Sequence, residues 1–529
     1  MQTRRVFIRQ IGLGTAGMML GGSSLASVNH FPATGNLPRS VPEMQGVSSE
    51  SIHRLLDALD NSGIEFHSIM IVRNGFVIAE AWWAPYAPEY RHTLHSLSKS
   101  FTSAAVGLAI HEGHFTVDSP VISFFPDLLP KEISPNLSAM KVKHLLTMTS
   151  GHAADNGLRT DHLPWVQSFL AAPIVYAPGS FYMYNTSATY MLSAIVQKTT
   201  GKNLLDYLKP RLLDPLKIEG ADWEMSPQGI HTGGYGLRIR TEDIASFSQL
   251  YLNKGKWKGQ QIIPEAWVED SGKAQWVFAS NPFGGKTPKQ DDDWQQGYGY
   301  QFWRTKHNGY RSDGLYGQFG IVLPDEQMVV AITEQSFNTQ KTLNLIWDNL
   351  LPGLQKNALA PNSNALKKLT DRQAGLGISP VIAAGIPSSL VTEISGKKFL
   401  LNDNVLGAKS VMFNFTSDSC SLTVSYDDGD RKLHFGMNRW EKAKNGTMLN
   451  KQLPFPVLKL PNVDSVIAGM AVWKAPDILY VEIRPVETVT GDSITCSFTN
   501  NTVQLAFLHT VAKAGKEQET RPLITGSIA

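Results

Sequence analysis

Ser96-Leu97-Ser98-Lys99 opens a stretch whose apolar residues, Phe101, Ala104, Ala105, Leu108 and Ala109, fall at helical spacing. Positions i and i+3 share one face of a helix, so this spacing brings the Ser96 hydroxyl and the Lys99 amine within reach of each other. The helix N-terminus adds unpaired backbone N–H groups and the positive end of the dipole, which suit a developing oxyanion. A serine hydroxyl is a weak nucleophile without a neighbouring base. Lys99 can act as that base only where burial lowers its pKa, which an apolar helix start permits. The tetrad alone is a weak signal. A second one, Ser395-Gly396-Lys397-Lys398, carries Gly inside it and precedes a strand pattern, so it is assigned no role. Ser98 as nucleophile would set its hydroxyl and Lys99 on different faces.

Two later stretches keep the tetrad company. Phe181-Tyr182-Met183-Tyr184-Asn185-Thr186 precedes an amphipathic helix pattern at 186–199, and Ser312-Asp313-Gly314-Leu315-Tyr316-Gly317-Gln318 leads into a strand hairpin. With Leu145-Leu146-Thr147-Met148-Thr149-Ser150-Gly151 and Gly233-Gly234-Tyr235-Gly236-Leu237, these motifs make residues 42–350 resemble the penicillin-recognising serine hydrolases. The nearest branch is the class C β-lactamase-like group with its esterases, D-amino-acid amidases and 6-aminohexanoate-dimer hydrolases. The resemblance implies an α+β catalytic domain, an antiparallel sheet flanked by helices, with a helical subdomain carrying Tyr184. It implies Ser96 as the acylated nucleophile, Lys99 as its partner base, and Tyr184 as a phenolate or proton shuttle to the leaving group. The N–H groups of Ser96 and Leu315 would form the oxyanion hole. Thr186, Ser312, Asp313 and Gly314 match positions that face the substrate. Relatives that deacylate through a separate Glu carry an acidic motif with no counterpart here, so Tyr184 and Lys99 are expected to serve both half-reactions.

Two departures bear on the substrate. Thr186 stands where the Y-x-N motif has Asn, which keeps a hydroxyl and loses an amide donor. Ser312 replaces the lysine of K-T-G, a cation that faces a substrate carboxylate in relatives. A charged hydrogen bond of that kind contributes about 1.5–3 kcal/mol, so its loss disfavours β-lactams and peptides with a free C-terminus. Arg311 is adjacent, but neighbouring strand residues point to opposite faces. His231-Thr232-Gly233 is a rival third motif and Tyr182 a rival to Tyr184; the first lacks a following hairpin, and only Tyr184 stands two residues before a hydroxyl or amide side chain.

The chain has 529 residues, beyond the roughly 250–300 that one core supports, so at least two domains are expected. Residues 1–26 read as a twin-arginine signal: Thr3-Arg4-Arg5-Val6-Phe7-Ile8-Arg9, the weakly apolar run Ile11–Gly22, then Ser24-Leu25-Ala26 for cleavage. Residues 42–356 form the hydrolase domain, with a hairpin signalled by Asn74-Gly75 and an amphipathic helix at Thr241–Asn253. Residues 357–388 lose periodicity and read as a linker; 389–529, with short alternating runs such as CSLTVSY and TVQLAFLHTV, read as an all-β domain. Forty-eight basic against 46 acidic residues leave no nucleic-acid footprint. No stretch after the signal is long enough to span a membrane. Two cysteines, Cys420 and Cys496, exclude a Cys-based metal site and leave one disulfide open. His111-Glu112-Gly113-His114 is not a zinc motif, and the paired Trp82 and Trp83 read as core. The expectation is an exported serine hydrolase, periplasmic or secreted, that cleaves a small ester or short amide with no metal or organic cofactor. The alternatives are a peptidoglycan D,D-peptidase or β-lactam-binding or β-lactamase protein, and a non-catalytic binding scaffold.

Overall fold

The computed structural model describes residues 36–155, 163–378, 388–444 and 466–529. The signal at 1–26 and residues 379–387 of the expected linker lie outside the described residues.

Asn74 and Gly75, with φ of 52° and 82°, form the tight turn between β1 (Glu65–Arg73) and β2 (Phe76–Trp82). Both residues occupy the left-handed region that a two-residue hairpin turn demands. β1 then pairs antiparallel with β11 (Met328–Gln335), and the sheet continues through β10 (Gln318–Leu323), β9 (Tyr310–Gly314) and β8 (Trp303–Arg304) in the order β2-β1-β11-β10-β9-β8. Three short strands, β3 (His92–Thr93), β4 (Asp222–Trp223) and β5 (Leu237–Ile239), make a second sheet, and β6 (Lys256–Trp257) and β7 (Gln260–Gln261) a small hairpin.

The main sheet is buried on both faces, and alternation divides its side chains between two cores. Ile69 and Ile71 pack with Leu55, Leu56 and Leu59 of the helix Ser49–Asp60, while Met70 and Val72 pack with Phe101, Phe247 and Leu250. The last three come from the helices Ser98–His111 and Thr241–Leu252. Ser98–Ala109 is buried on every side, as expected of a helix enclosed between a sheet and further helices.

The expected linker is corrected in part. Asn362 caps a helix, Ser363–Ala374, whose Ala365 and Leu369 are buried and whose Arg372 binds Asp57 and Asp60 at 2.8 and 2.6 Å. Only two fully buried positions hide its periodicity from a hydropathy pattern.

From Lys398 to Ile528, ten strands form one sheet that closes into a barrel where Gly436 and Met437 pair with Met470 and Ala471. Its interior is filled by side chains such as Phe413, Trp473 and Phe498, with the buried free thiols of Cys420 and Cys496 among them. The barrel joins the hydrolase domain through a small apolar cluster of Tyr86, Ala468 and Val486 and through polar groups. Arg484 binds Glu65 of β1 through both nitrogens (2.7 and 2.9 Å) and also Glu482. Glu65 accepts from His67, which meets His92 at 2.9 Å. The Glu487 carbonyl accepts from both the N–H and the hydroxyl of Thr93, each at 3.0 Å.

Candidate active site

Three residues beyond Thr93, Ser96 lies in a single 3-10 turn, His95–Leu97, at the head of the helix Ser98–His111. His95 holds φ of 47°, left-handed at a residue with a side chain, a conformation that costs on the order of 1–3 kcal/mol and persists where the surroundings fix it. Its neighbours do so: the Leu94 N–H donates to the Leu237 carbonyl at 3.0 Å, and the Ser98 hydroxyl donates to the His95 carbonyl while accepting from the Leu237 N–H. Ser98 is therefore committed to the turn. Burial and the nearby Lys99 push the His95 ring down to about 4, so it stays neutral beside the site.

Lys99 is 1% exposed. Its Nζ lies 3.0 Å from Ser96 Oγ, 2.7 Å from the Gly234 carbonyl oxygen and 3.4 Å from Thr186 Oγ1. The Tyr184 ring centroid is 4.9 Å away. Burial lifts the Tyr184 phenol well above the ordinary value of 10, with Asp313 and Asp155 pushing the same way and the nearby Ser96 hydroxyl pulling against them. Tyr184 thus rests as a neutral phenol, not the phenolate. Asn185 caps the following helix, Thr186–Thr200, and Asp155 accepts from the Thr186 N–H and the Ser187 hydroxyl, which fixes the loop carrying Tyr184.

Gly234 was not singled out by its own chemistry in the sequence, although the Gly-Gly pair marked the place. A Cβ there would come within 2.7 Å of Thr186 Cγ2, so only glycine lets this carbonyl reach Lys99. The rival His231-Thr232-Gly233 packs against helices instead: Gly233 accepts from Thr102, and the His231 carbonyl accepts from Ser193.

The third motif occupies β9. The Leu94 carbonyl fills the space a Cβ on Gly314 would need, so the end of β9 abuts the turn that carries Ser96 and sets Leu315 beside it. Tyr316 (φ 67°) meets His95 edge-on at 5.5 Å, and Gln318 Nε2 donates to the Leu315 carbonyl at 3.2 Å. Asp313 pairs with Arg311 at 2.8 Å on the face towards Tyr184; burial raises its carboxyl to about 6 against the pull of Arg311. Ser312 is a correction. Strand alternation turns it the other way, where its hydroxyl donates to the Gly320 carbonyl at 3.3 Å, against the helix Thr241–Leu252, and it is 1% exposed. It does not face the substrate.

Sequence reasoning also missed an aromatic wall. Trp303 stacks on Tyr184 at 5.8 Å, Trp294 lies under the Arg311 guanidinium at 4.6 Å, and Phe283 touches all three rings' surroundings from the solvent side. Tyr182 belongs to this wall, packed on Phe278 and Tyr298, with its hydroxyl buried and unpartnered among the described residues. The density of aromatics between 276 and 303 was the available signal. Among the described residues no group of three or more His, Cys, Asp or Glu is placed to hold a metal ion, and no helix is long and apolar enough to cross a membrane.

Residues 53–353, more than half of the chain, match the family described as Beta-lactamase. The 6-aminohexanoate-dimer hydrolase of Paenarthrobacter ureafaciens is 24% identical over 272 residues, which cover 47% of this chain and 68% of that protein. A β-lactamase of Escherichia coli (strain K12) is 24% identical over 193 residues, 32% of this chain and 49% of that one. The octameric penicillin-binding protein homologue from Pyrococcus abyssi superposes with a TM-score of 0.45 at 16% identity, covering 90% of this chain and 99% of that chain.

Proposed function

The chain belongs to the β-lactamase family and is a serine hydrolase of that type, and on that premise we propose that it cleaves an ester or a short amide through an acyl-enzyme on Ser96. One observation carries this reading: the Lys99 amine stands 3.0 Å from Ser96 Oγ and 4.9 Å from the Tyr184 ring centroid. Ser96 Oγ attacks the substrate carbonyl and gives up its proton to Lys99. The N–H groups of Ser96 and Leu315 hold the resulting oxyanion. The bond to the leaving group breaks as Tyr184 delivers a proton to it, and Lys99 reprotonates Tyr184. Water then attacks the acyl-enzyme, its proton follows the same pair of groups, and Ser96 is restored as the acid departs.

A peptidase acting on free C-termini would need a cation for the carboxylate. Ser312 stands in place of that lysine and faces away, while Arg311 is already engaged by Asp313. That disfavours the D,D-peptidase and β-lactamase readings. The pattern of Thr3–Arg9 and Ser24-Leu25-Ala26 supports export to the periplasm or beyond. Turnover of p-nitrophenyl acetate by the protein lacking residues 1–26 is the direct test. Ser96→Ala is expected to cut kcat/KM by at least about 10³-fold, and a fluorophosphonate should label Ser96 alone. Unchanged turnover in Ser96→Ala overturns the proposal.

A further inference from the structure

Lys99 Nζ lies over the Tyr184 ring at 4.9 Å and Trp303 stacks on that ring at 5.8 Å. Phe283 meets it in a T-shaped contact, 6.1 Å between centroids at 71°. It also packs on Trp294 at 5.2 Å and Trp303 at 5.5 Å, yet it remains 58% exposed. A phenylalanine held by three rings and still open to solvent leaves apolar surface uncovered beside Tyr184, which an apolar part of the substrate would cover. The loop beneath it is pinned: the Phe283 N–H donates to Asn281 Oδ1 at 2.8 Å, and Asn281 Nδ2 donates to Asp292 at 2.7 Å. Trp294 is fixed in turn by the Arg311 guanidinium over its face. The charged groups bearing on the Tyr184 hydroxyl are the carboxylates of Asp313 and Asp155, which disfavour an anionic group beside it.

We infer that Phe283 and Trp294 form a subsite for the leaving group of the substrate, an aromatic or bulky apolar alcohol or amine. The inference rests on the acyl-enzyme reading of Ser96. Tyr184 hands its proton to the departing oxygen or nitrogen as the carbonyl bond to it breaks, so the leaving group must lie against Tyr184, whose ring Phe283 contacts, while the acyl part stays on Ser96.

Benzyl acetate and ethyl acetate share an acyl group and have alkoxides of similar basicity, so their ratio of kcat/KM reads the subsite. Methyl phenylacetate against methyl acetate reads the acyl side. The wild-type chain is expected to favour benzyl over ethyl by about tenfold or more, the scale of burying one phenyl ring. Phe283→Ala should bring that ratio to within about threefold, Phe283→Tyr should keep it, and the phenylacetyl-to-acetyl ratio should stay within about twofold in both. A benzyl preference unaltered in Phe283→Ala, or a loss confined to the acyl pair, overturns the inference. Turnover that depends on Ser96 without any benzyl preference sinks the subsite alone, whereas turnover independent of Ser96 sinks the acyl-enzyme reading beneath it.

Discussion

Lys99 and Arg484 both bury a basic side chain, and their surroundings differ in kind. Arg484 is met by two carboxylates: Glu65 takes both terminal nitrogens, and Glu482 accepts from Nε at 3.0 Å. These acids hold the guanidinium charged against burial, and Arg484 in return holds the Glu65 carboxyl down at about 2. Lys99 donates to neutral oxygens, the Gly234 carbonyl and the hydroxyls of Ser96 and Thr186, under the face of a phenol. A charge matched by fixed opposite charges has no reason to move and works as a fastener, here between the barrel and β1. An amine that donates to a hydroxyl 3.0 Å away is placed to exchange a proton with it. The same depth of burial thus serves architecture in one place and, on the proposed mechanism, proton transfer in the other.

Removing each basic group should separate the two roles. Lys99→Ala is expected to lower kcat by about 10³-fold, within the range for losing a general base, with the thermal midpoint moving by only a few degrees. Arg484→Met leaves Glu65 and Glu482 buried without their partner and should cost about 3–5 kcal/mol in unfolding free energy. A Lys99→Ala protein as destabilised as Arg484→Met would erase the contrast, as would loss of kcat in well-folded Arg484→Met.

Acid should weaken the fastener. Glu65 binds its proton near pH 2 in the folded chain against an ordinary 4.5, so the folded state holds fewer protons in that interval. Its contribution to stability is complete above about 4.5 and is lost as pH falls towards 2. His67 pulls the same way, because burial lowers its pKa and acid must charge a ring that the fold keeps neutral. Glu65→Gln is expected to flatten the fall in unfolding free energy between pH 4.5 and 2, as read by denaturant titrations. An acid limb as steep as the wild type's would detach this interface from the acid response.

The contrast also marks what a sequence can disclose. Ser96 and Lys99 share one helical turn, so their meeting follows from local geometry, and the Asn74-Gly75 hairpin is legible for the same reason. Tyr184 was reachable through its two-residue spacing to Thr186. The rest of the cradle is non-local: the Gly234 carbonyl lies 135 positions from Lys99, and Trp303, Trp294 and Phe283 arrive from a loop with no regular period. The short runs after residue 390 announce strands, but barrel closure depends on one parallel pairing at Gly436 and Met437 that no alternation pattern encodes. The helix Ser363–Ala374 stayed hidden because only Ala365 and Leu369 among its residues are buried, too few to print an apolar stripe.

Ser312 gives the smallest effect and the finest test of the comparison. By motif it stands where relatives carry a substrate-facing lysine, yet the pairing of Ser312 with Gly320 in β9 and β10 sets its side chain on the face covered by the helix Thr241–Leu252. Arg311 and Asp313 take the opposite face, and there they neutralise each other at 2.8 Å, so neither position offers a free cation to a carboxylate. Ser312→Ala should therefore leave kcat/KM for neutral esters within about twofold and cost no more than about 1 kcal/mol, the scale of one hydrogen bond. Ser312→Lys is expected to bury an ammonium against the helix without creating affinity for carboxylate-bearing substrates, and to destabilise the fold by several kcal/mol, as an unpaired buried charge does. Were Ser312→Ala instead to lose activity tenfold at full stability, the hydroxyl would have to reach the cleft, and the strand register that separates the structural face of β9 from its active-site face would be wrong by one residue.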